Sequence, residues 1–378
     1  MYQERWRRVI AAMDEQQWDM LALVPGANLA YLTGLDFHIS SRLTLALLPA
    51  EHEQPLALVL PLLEQERAQR MLEQNGLASV VQCECWHDAD GPTGALLAAL
   101  NRVLPDGPPL IGIEYTAMRV SELRALEQAG SALRGSVATR DASGVLARLR
   151  MVKDAAELAA METAVQIIEH ALQQVLEQIR PGITERQLGA IWTQAINAAG
   201  ADAPSFDCIV ASGPNSALPH HGQSKRPLQH GDLIVLDGGA RYRGYVSDIT
   251  RTVALAEPGE TARVIYELVR RANAAGQAAV RPGVTGEQID RAVRQVIIDG
   301  GYADAFVHRT GHGLGLECHE APYLTDGSQQ ALPVGTTFTI EPGIYLPGLG
   351  GVRIEDDMVI TADGGRSLTS FTRELLIL

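Results

Sequence analysis

Five residues in the second half of the chain carry side chains able to ligate a metal: Asp237, Asp248, His312, Glu341 and Glu355, each inside a distinctive short motif. The first two lie in Asp232-Leu-Ile-Val-Leu-Asp-Gly-Gly-Ala and Arg241-Tyr-Arg-Gly-Tyr-Val-Ser-Asp-Ile-Thr-Arg-Thr. These stretches read as a strand, a Gly-containing turn and a second strand, a hairpin that brings two Asp side chains together. The others come from Thr310-Gly-His-Gly-Leu-Gly-Leu-Glu-Cys-His-Glu, Thr339-Ile-Glu-Pro-Gly-Ile-Tyr and Gly351-Val-Arg-Ile-Glu-Asp-Asp. Oxygen donors favour manganese, magnesium or calcium, and an imidazole extends the range to cobalt, iron or zinc. With no thiolate in the set, Mn(II) or Co(II) fits first and Zn(II) remains compatible. Four negative charges in one pocket repel, and two divalent ions neutralise them better than one. A pair about 3.5 to 4 Å apart, lowering the pKa of water from about 15.7 towards roughly 7, is equipped to hydrolyse an amide.

Each segment alone has an ordinary explanation, since Asp-Gly is a common hairpin turn and Glu-Pro-Gly a common loop. Gly-His-Gly-Leu-Gly lacks the Lys-Ser/Thr ending and the strand-to-helix setting of a nucleotide loop. The argument rests on all five segments occurring together and in order.

In that order they resemble the motifs of the pita-bread metallopeptidases, in the Xaa-Pro dipeptidase (prolidase) and aminopeptidase P branch, over about residues 150 to 378. The resemblance implies that Asp237, Asp248, His312, Glu341 and Glu355 hold a dinuclear centre, with Asp248 and Glu355 bridging the ions. It also gives pocket roles to His220 in Asn215-Ser-Ala-Leu-Pro-His-His-Gly, to His308, to His319 and to Arg353. A histidine beside a metal can donate to a substrate carbonyl or carry a proton, because its pKa lies near neutrality. His220 and His319 are the leading candidates for that work. His308 can instead satisfy a buried carbonyl, and whether His221 touches substrate stays open. Arg353 stands two residues before Glu355, on the same side of a strand, where it could orient Glu355 or contact substrate.

The elements that must position these residues are read from periodicity. A helix is expected over residues 2 to 17, then strands at 20–24, 43–48 and 56–60, the last two flanking the polar turn Glu51-His-Glu-Gln-Pro. A further strand at 110–114 precedes a helix at 119–129. This is an α/β N-terminal domain, residues 1–147, with no metal or nucleophile constellation. Its expected role is packing, dimerisation or covering the active site, as in the creatinase-like N-terminal domain of the resembled family. Asp154-Ala-Ala-Glu157 is a capping-box start for a helix whose apolar face runs through Leu158, Met161, Val165, Ile168, Leu172, Val175 and Ile179. After it, Arg180-Pro-Gly-Ile-Thr is echoed by Arg281-Pro-Gly-Val-Thr, which follows a helix at 261–280. Residues 148–378 are therefore expected to form an α+β pita-bread catalytic domain with an internal pseudo-two-fold repeat. The two Asp ligands belong to the first half and His312, Glu341 and Glu355 to the second.

The 378 residues suffice for two domains, and 46% apolar residues for substantial cores. A net charge of −14 argues against nucleic acid as a partner. No run of about 20 apolar residues exists and no apolar signal core follows the N-terminal helix, so no membrane partner and a cytoplasmic location are expected. Cys83, Cys85, Cys208 and Cys318 have neither the spacing nor the density of a disulfide scaffold. Cys318, between Glu317 and His319, stands close to the site and invites a catalytic-thiol reading, but neighbours in a strand face opposite ways and packing is the better explanation. The favoured function is hydrolysis of an Xaa-Pro bond, in dipeptides or at the N-terminus of short peptides, by a homodimer. The Asp36-Phe-His-Ile-Ser-Ser-Arg loop is a candidate for closing over a partner's pocket. Alternatives are a related hydrolase of a non-peptide amide or osmolyte derivative, and a non-catalytic binding module of the same fold. The intact ligand set argues against the binding module and against a metal-free creatinase-like enzyme. The extra N-terminal domain argues against a methionine aminopeptidase.

Overall fold

Apolar runs in the first 150 residues become one sheet. Strands β1 (Met20–Leu23), β2 (Leu45–Pro49) and β3 (Leu56–Pro61) are buried at every position, the pattern of strands covered on both faces. They join β4 (Val81–Trp86), β5 (Leu110–Ile113) and β6 (Ala138–Asp141) in the order β4-β3-β2-β1-β5-β6. Helix α1 (Tyr2–Gln16) buries Trp6, Val9, Ile10 and Met13 at helical steps. The remaining helices here are α2 (Ala27–Thr33), α3 (Gln65–Gln74), α4 (Thr93–Val103), α5 (Val120–Arg134) and α6 (Ser143–Met151).

The computed structural model describes every residue except 52 and 53, so the middle of the expected polar turn at 51–55 lies outside the described residues. The chain divides into two compact units, Met1–Arg150 and Met151–Leu378.

The second unit begins with α7 (Ala155–Leu176), whose Asp154 cap accepts from the backbone of Ala156 and Glu157 while Glu157 reaches back. Next come α8 (Glu185–Ala198) and β7 (Ala203–Pro204), β8 (Ile209–Ser212), β9 (Leu233–Gly238), β10 (Ala240–Tyr242), β11 (Tyr245–Val246) and β12 (Ile249–Ala254). The second half repeats the plan. Helices α9 (Glu260–Ala279) and α10 (Gly286–Asp299) precede β13 (Gly311–Gly313), β14 (Glu320–Leu324), β15 (Thr337–Ile340), β16 (Gly343–Leu346), β17 (Gly350–Arg353), β18 (Asp356–Thr361) and β19 (Gly364–Ser367).

The sequence echo has a structural basis. Gly182 and Gly283 turn with φ of 89° and 78°, a region that favours glycine. Their amides donate to Leu228 and Leu332 carbonyls, both at 2.9 Å. Thr184 and Thr285 then cap α8 and α10 with matching capping boxes to Gln187 and Gln288. Each half packs its own core, one around Ile168, Leu172, Trp192, Leu236 and Val253, the other around Val269, Ile289, Phe338, Ile340 and Met358. At roughly 1.5 to 3 kcal/mol for each fully buried large apolar side chain, these cores can tolerate a costly cluster of charge between them.

Candidate metal centre

Strands β9 and β12 pair antiparallel with Asp237 opposite Thr250 and Gly238 opposite Ile249. Asp248, one residue before β12, therefore rises beside Asp237. The expected strand–turn–strand is more elaborate, because β10 and β11 form their own small hairpin between the two aspartates. Gly239 permits the close approach: a Cβ there would lie 1.9 Å from the Ser247 carbonyl oxygen. In the other half, a Cβ on Gly311 would lie 1.9 Å from the Thr339 carbonyl oxygen, so the glycine lets β13 bring His312 against Glu341, just past β15. Glu355, between β17 and β18, ties the halves together, its amide donating to the Thr250 carbonyl at 3.1 Å.

The five carboxylate and imidazole side chains converge on one pocket of about 380 Å³, whose lining also includes His220, His308, His319 and Arg353. All nine residues singled out in the sequence are thus brought together. Ligand atoms of Asp248, His312 and Glu355 lie within 4.8 Å of one another, and all three residues are buried. His312 Nε2 stands 3.3 Å from Glu341 Oε1 and 3.8 Å from Asp248 Oδ2.

The donor set fits a divalent cation. Among the described residues, the buried Oδ1 atoms of Asp237 and Asp248 have no hydrogen-bond partner. Burial, then the charges of Asp237 and Asp357, raise the Asp248 carboxyl well above the carboxylate range. Burial and Asp248 do the same to Glu355, and burial leads the rise of Glu341 to about 7. Burial likewise lowers His312 to about 3, leaving a neutral imidazole able to ligate. Carboxylates desolvated against one another demand protons or cations, and this mixture of oxygen and imidazole donors suits a hard or borderline ion.

Around these residues lies a connected polar shell. Thr250 Oγ1 donates to Glu355 Oε2 at 2.6 Å and accepts from Arg353 Nε at 3.1 Å. Arg353 NH2 reaches Asp237 Oδ2 at 2.6 Å, and NH1 reaches the Tyr345 hydroxyl at 2.8 Å. The expectation that Arg353 and Glu355 share one face of a strand is corrected: β17 ends at Arg353, which bonds Asp237 directly and meets Glu355 only through Thr250. His308 is held on both nitrogens, by the Arg309 carbonyl and the Tyr345 hydroxyl, each at 2.8 Å. Burial lowers its pKa to about 4. The His319 ring packs edge-on against His312 with centroids 4.2 Å apart, while His220 is exposed on the pocket wall. His221 turns elsewhere, its Nε2 lying 2.9 Å from Glu185.

Cys318 is a second correction. Residues 315–319 form bends rather than a strand, so the alternation that would have turned Cys318 away does not apply. Its thiol lines the pocket and donates to Asp248 Oδ2 at 3.1 Å, and burial with the adjoining Asp248 charge raises its pKa. Sequence reading also missed Arg309 on the pocket wall, stacked 4.4 Å from the Tyr323 ring centre, and Asp357, which accepts the Asp248 amide at 3.0 Å. Tyr345 and Thr250 were visible within the quoted motifs, at positions whose roles appear only through the cross-strand contacts.

Comparison with known proteins agrees with this geometry. The model of metallopeptidase family M24 matches residues 159–362, and that of the creatinase/prolidase N-terminal domain matches residues 5–152. A probable dipeptidase PepE of Mycobacterium tuberculosis is 39% identical over 379 residues, spanning 100% of this chain and 96% of that protein. An Xaa-Pro dipeptidase of Pyrococcus furiosus is 44% identical over 232 residues, 61% of this chain and 67% of its own length. The crystal structure of a dipeptidase from Pyrococcus horikoshii superposes with a TM-score of 0.90 at 38% identity, covering 99% of this chain and 100% of that one. With the family model covering more than half the chain and whole-length relatives behind it, this protein belongs to metallopeptidase family M24.

Proposed function

We propose that the enzyme is a metal-dependent dipeptidase cleaving the Xaa-Pro bond. The observation that carries this reading is the convergence of four acids and a neutral imidazole on one pocket with carboxylate oxygens left unshared. Asp237, Asp248, His312, Glu341 and Glu355 would hold two divalent ions, Mn(II) or Co(II) before Zn(II). When bound, such ions lower the pKa of water and polarise the scissile carbonyl.

The remaining work belongs to the chain's own side chains. Arg353 takes one oxygen of Asp237 and fixes the direction of the other. His319 and His220 donate to the substrate carbonyl and pass to the departing proline nitrogen the proton given up by the attacking water, since an amide nitrogen leaves readily only as a protonated amine. His308, engaged on both nitrogens, supports Tyr345 and through it Arg353.

Arg309 favours dipeptides over longer peptides. Arg309 lines the pocket with its guanidinium over the Tyr323 ring and no carboxylate partner among the described residues, and a bidentate guanidinium is suited to the free carboxylate of a C-terminal proline. We further assign the protein to the cytoplasm, which suits its four free thiols, and to a homodimer. Apolar side chains exposed on the first unit at Ile39, Tyr115 and Val120 support the dimer, and static light scattering on the full chain tests it.

The deciding experiment incubates Mn(II)-loaded protein with Xaa-Pro dipeptides, their C-terminal amides, Xaa-Pro-Yaa tripeptides and Met-Ala peptides, read by mass spectrometry. Dipeptides should be cleaved and their amides spared. Tripeptide turnover equal to that of dipeptides overturns the dipeptidase reading, and selective Met-Ala cleavage overturns the proline specificity.

A further inference from the structure

We infer that Glu185 is a positioning residue for His220, an inference resting on the pocket assignment just made. Glu185 opens helix α8, and its side chain is fully buried. A buried carboxylate needs donors, and the N-terminus of a helix supplies only part of them. Six donor atoms reach it: Ser212 N at 2.8 Å, Ser212 Oγ at 2.7 Å, Asn215 Nδ2 at 3.0 Å, His221 Nε2 at 2.9 Å, Ser224 N at 3.1 Å and Ser224 Oγ at 2.5 Å.

All of them lie on the two arms of the loop that carries Pro219 and His220. From the opposite side Arg353 NH1 donates to the Pro219 carbonyl at 3.3 Å, and Ser216 Oγ accepts the Gly351 amide at 2.8 Å. The loop is therefore gripped between Glu185 and the residues that border Asp237. His220 itself is exposed, so little packing of its own ring restrains it and its place on the pocket wall follows from its backbone. His221, the immediate neighbour, is the donor through which Glu185 sets that backbone. The pair divides its work, one histidine turned to the pocket and the next to the anchor.

The test is a double-variant cycle on the full-length, Mn(II)-loaded protein: wild type, Glu185→Gln, His220→Ala and the pair, assayed for kcat and KM on the best substrate of the peptide panel. Metal content and the circular-dichroism spectrum are recorded for each. Glu185→Gln should lower kcat about tenfold to a hundredfold with metal content unchanged. Added to His220→Ala it should cost less than about twofold more, because the residue it positions is gone. Multiplicative losses, or wild-type kcat in Glu185→Gln, overturn the proposal. Should Glu185→Gln fail to fold, Ser224→Ala enters the same cycle and should show a smaller loss with the same non-additivity. Failure of the wild type to prefer Xaa-Pro substrates counts against the functional reading alone. Undiminished turnover in His220→Ala overturns the positioning role.

Discussion

A carboxylate in a dry pocket escapes the cost of its charge through a proton, a donor or a cation. Here Asp237 gives one oxygen to Arg353, Asp248 one to the Cys318 thiol and Glu355 one to Thr250. The second oxygens of Asp237 and Asp248 are left facing their neighbours. Replacing Asp248 by Asn or Glu355 by Gln should therefore remove at least one ion per chain together with turnover, measured by elemental analysis alongside the peptide assay. A variant that keeps its full metal content would exclude that residue as a required ligand. The histidines should behave differently. His220→Ala and His319→Ala are expected to lower kcat roughly 10²- to 10⁴-fold, the usual range for a general acid or base, with metal content near that of the wild type. Unchanged turnover in both would return them to a structural role, and a loss of metal would make them ligands.

Among the elements, glycines decide how closely the strands that carry these acids and His312 approach. Gly311→Ala would drive a Cβ to 1.9 Å from the Thr339 carbonyl oxygen and 2.8 Å from its carbon. Because backbone cannot rotate aside as a side chain can, His312 and Glu341 should separate. The expected result is weakened metal binding in a titration, with the far-UV circular dichroism kept. Helix α8 carries a pH prediction of its own. Burial alone would raise the Glu185 pKa, but bonds from Ser224, Ser212, Asn215 and His221 overcome it and bring the group from 4.5 to about 2. A depressed folded-state pKa contributes stability that is complete above the unfolded value and fades as pH falls through the folded one. For a fully buried side chain a shift of this size corresponds to roughly 3 kcal/mol. The difference in urea unfolding free energy between wild type and Glu185→Gln should accordingly shrink as pH is lowered from about 6 towards 3. A difference independent of pH would show that the carboxylate's charge is not what the loop uses.

At the scale of the whole molecule, the five acid and imidazole residues proposed as ligands come from both halves of a repeated unit, so metal binding and the seating of one half on the other should be coupled. A ligand that binds only the folded form raises its stability. Chelation is expected to abolish turnover and lower the melting temperature of the second unit's transition, with Mn(II) or Co(II) restoring both. Full activity at no more than one ion per chain would exclude a dinuclear centre. An unchanged melting temperature would show that the halves hold together without it.

The ligand types, their order and the repeat were legible in the chain because each depends on local chemistry. Acid and imidazole side chains state their metal preference wherever they stand, and Arg-Pro-Gly-Ile/Val-Thr states a turn and a cap that the structure contains twice. Buried strands and long amphipathic helices were legible for the same reason, since period and apolarity are properties of contiguous residues. Small elements were not: β10 and β11 are only three and two residues long, too short for a pattern, and they depend on pairing with distant backbone. The chain could not say which acid Arg353 would hold, which way Cys318 would face or that Arg309 would reach the pocket. It singled out His220 but left open whether His221 joins it at the pocket, where the structure turns His221 to Glu185. Those outcomes depend on cross-strand register, on the bends at 315–319 and on a buried carboxylate 35 residues upstream of His220, relations between segments that meet only in the folded chain.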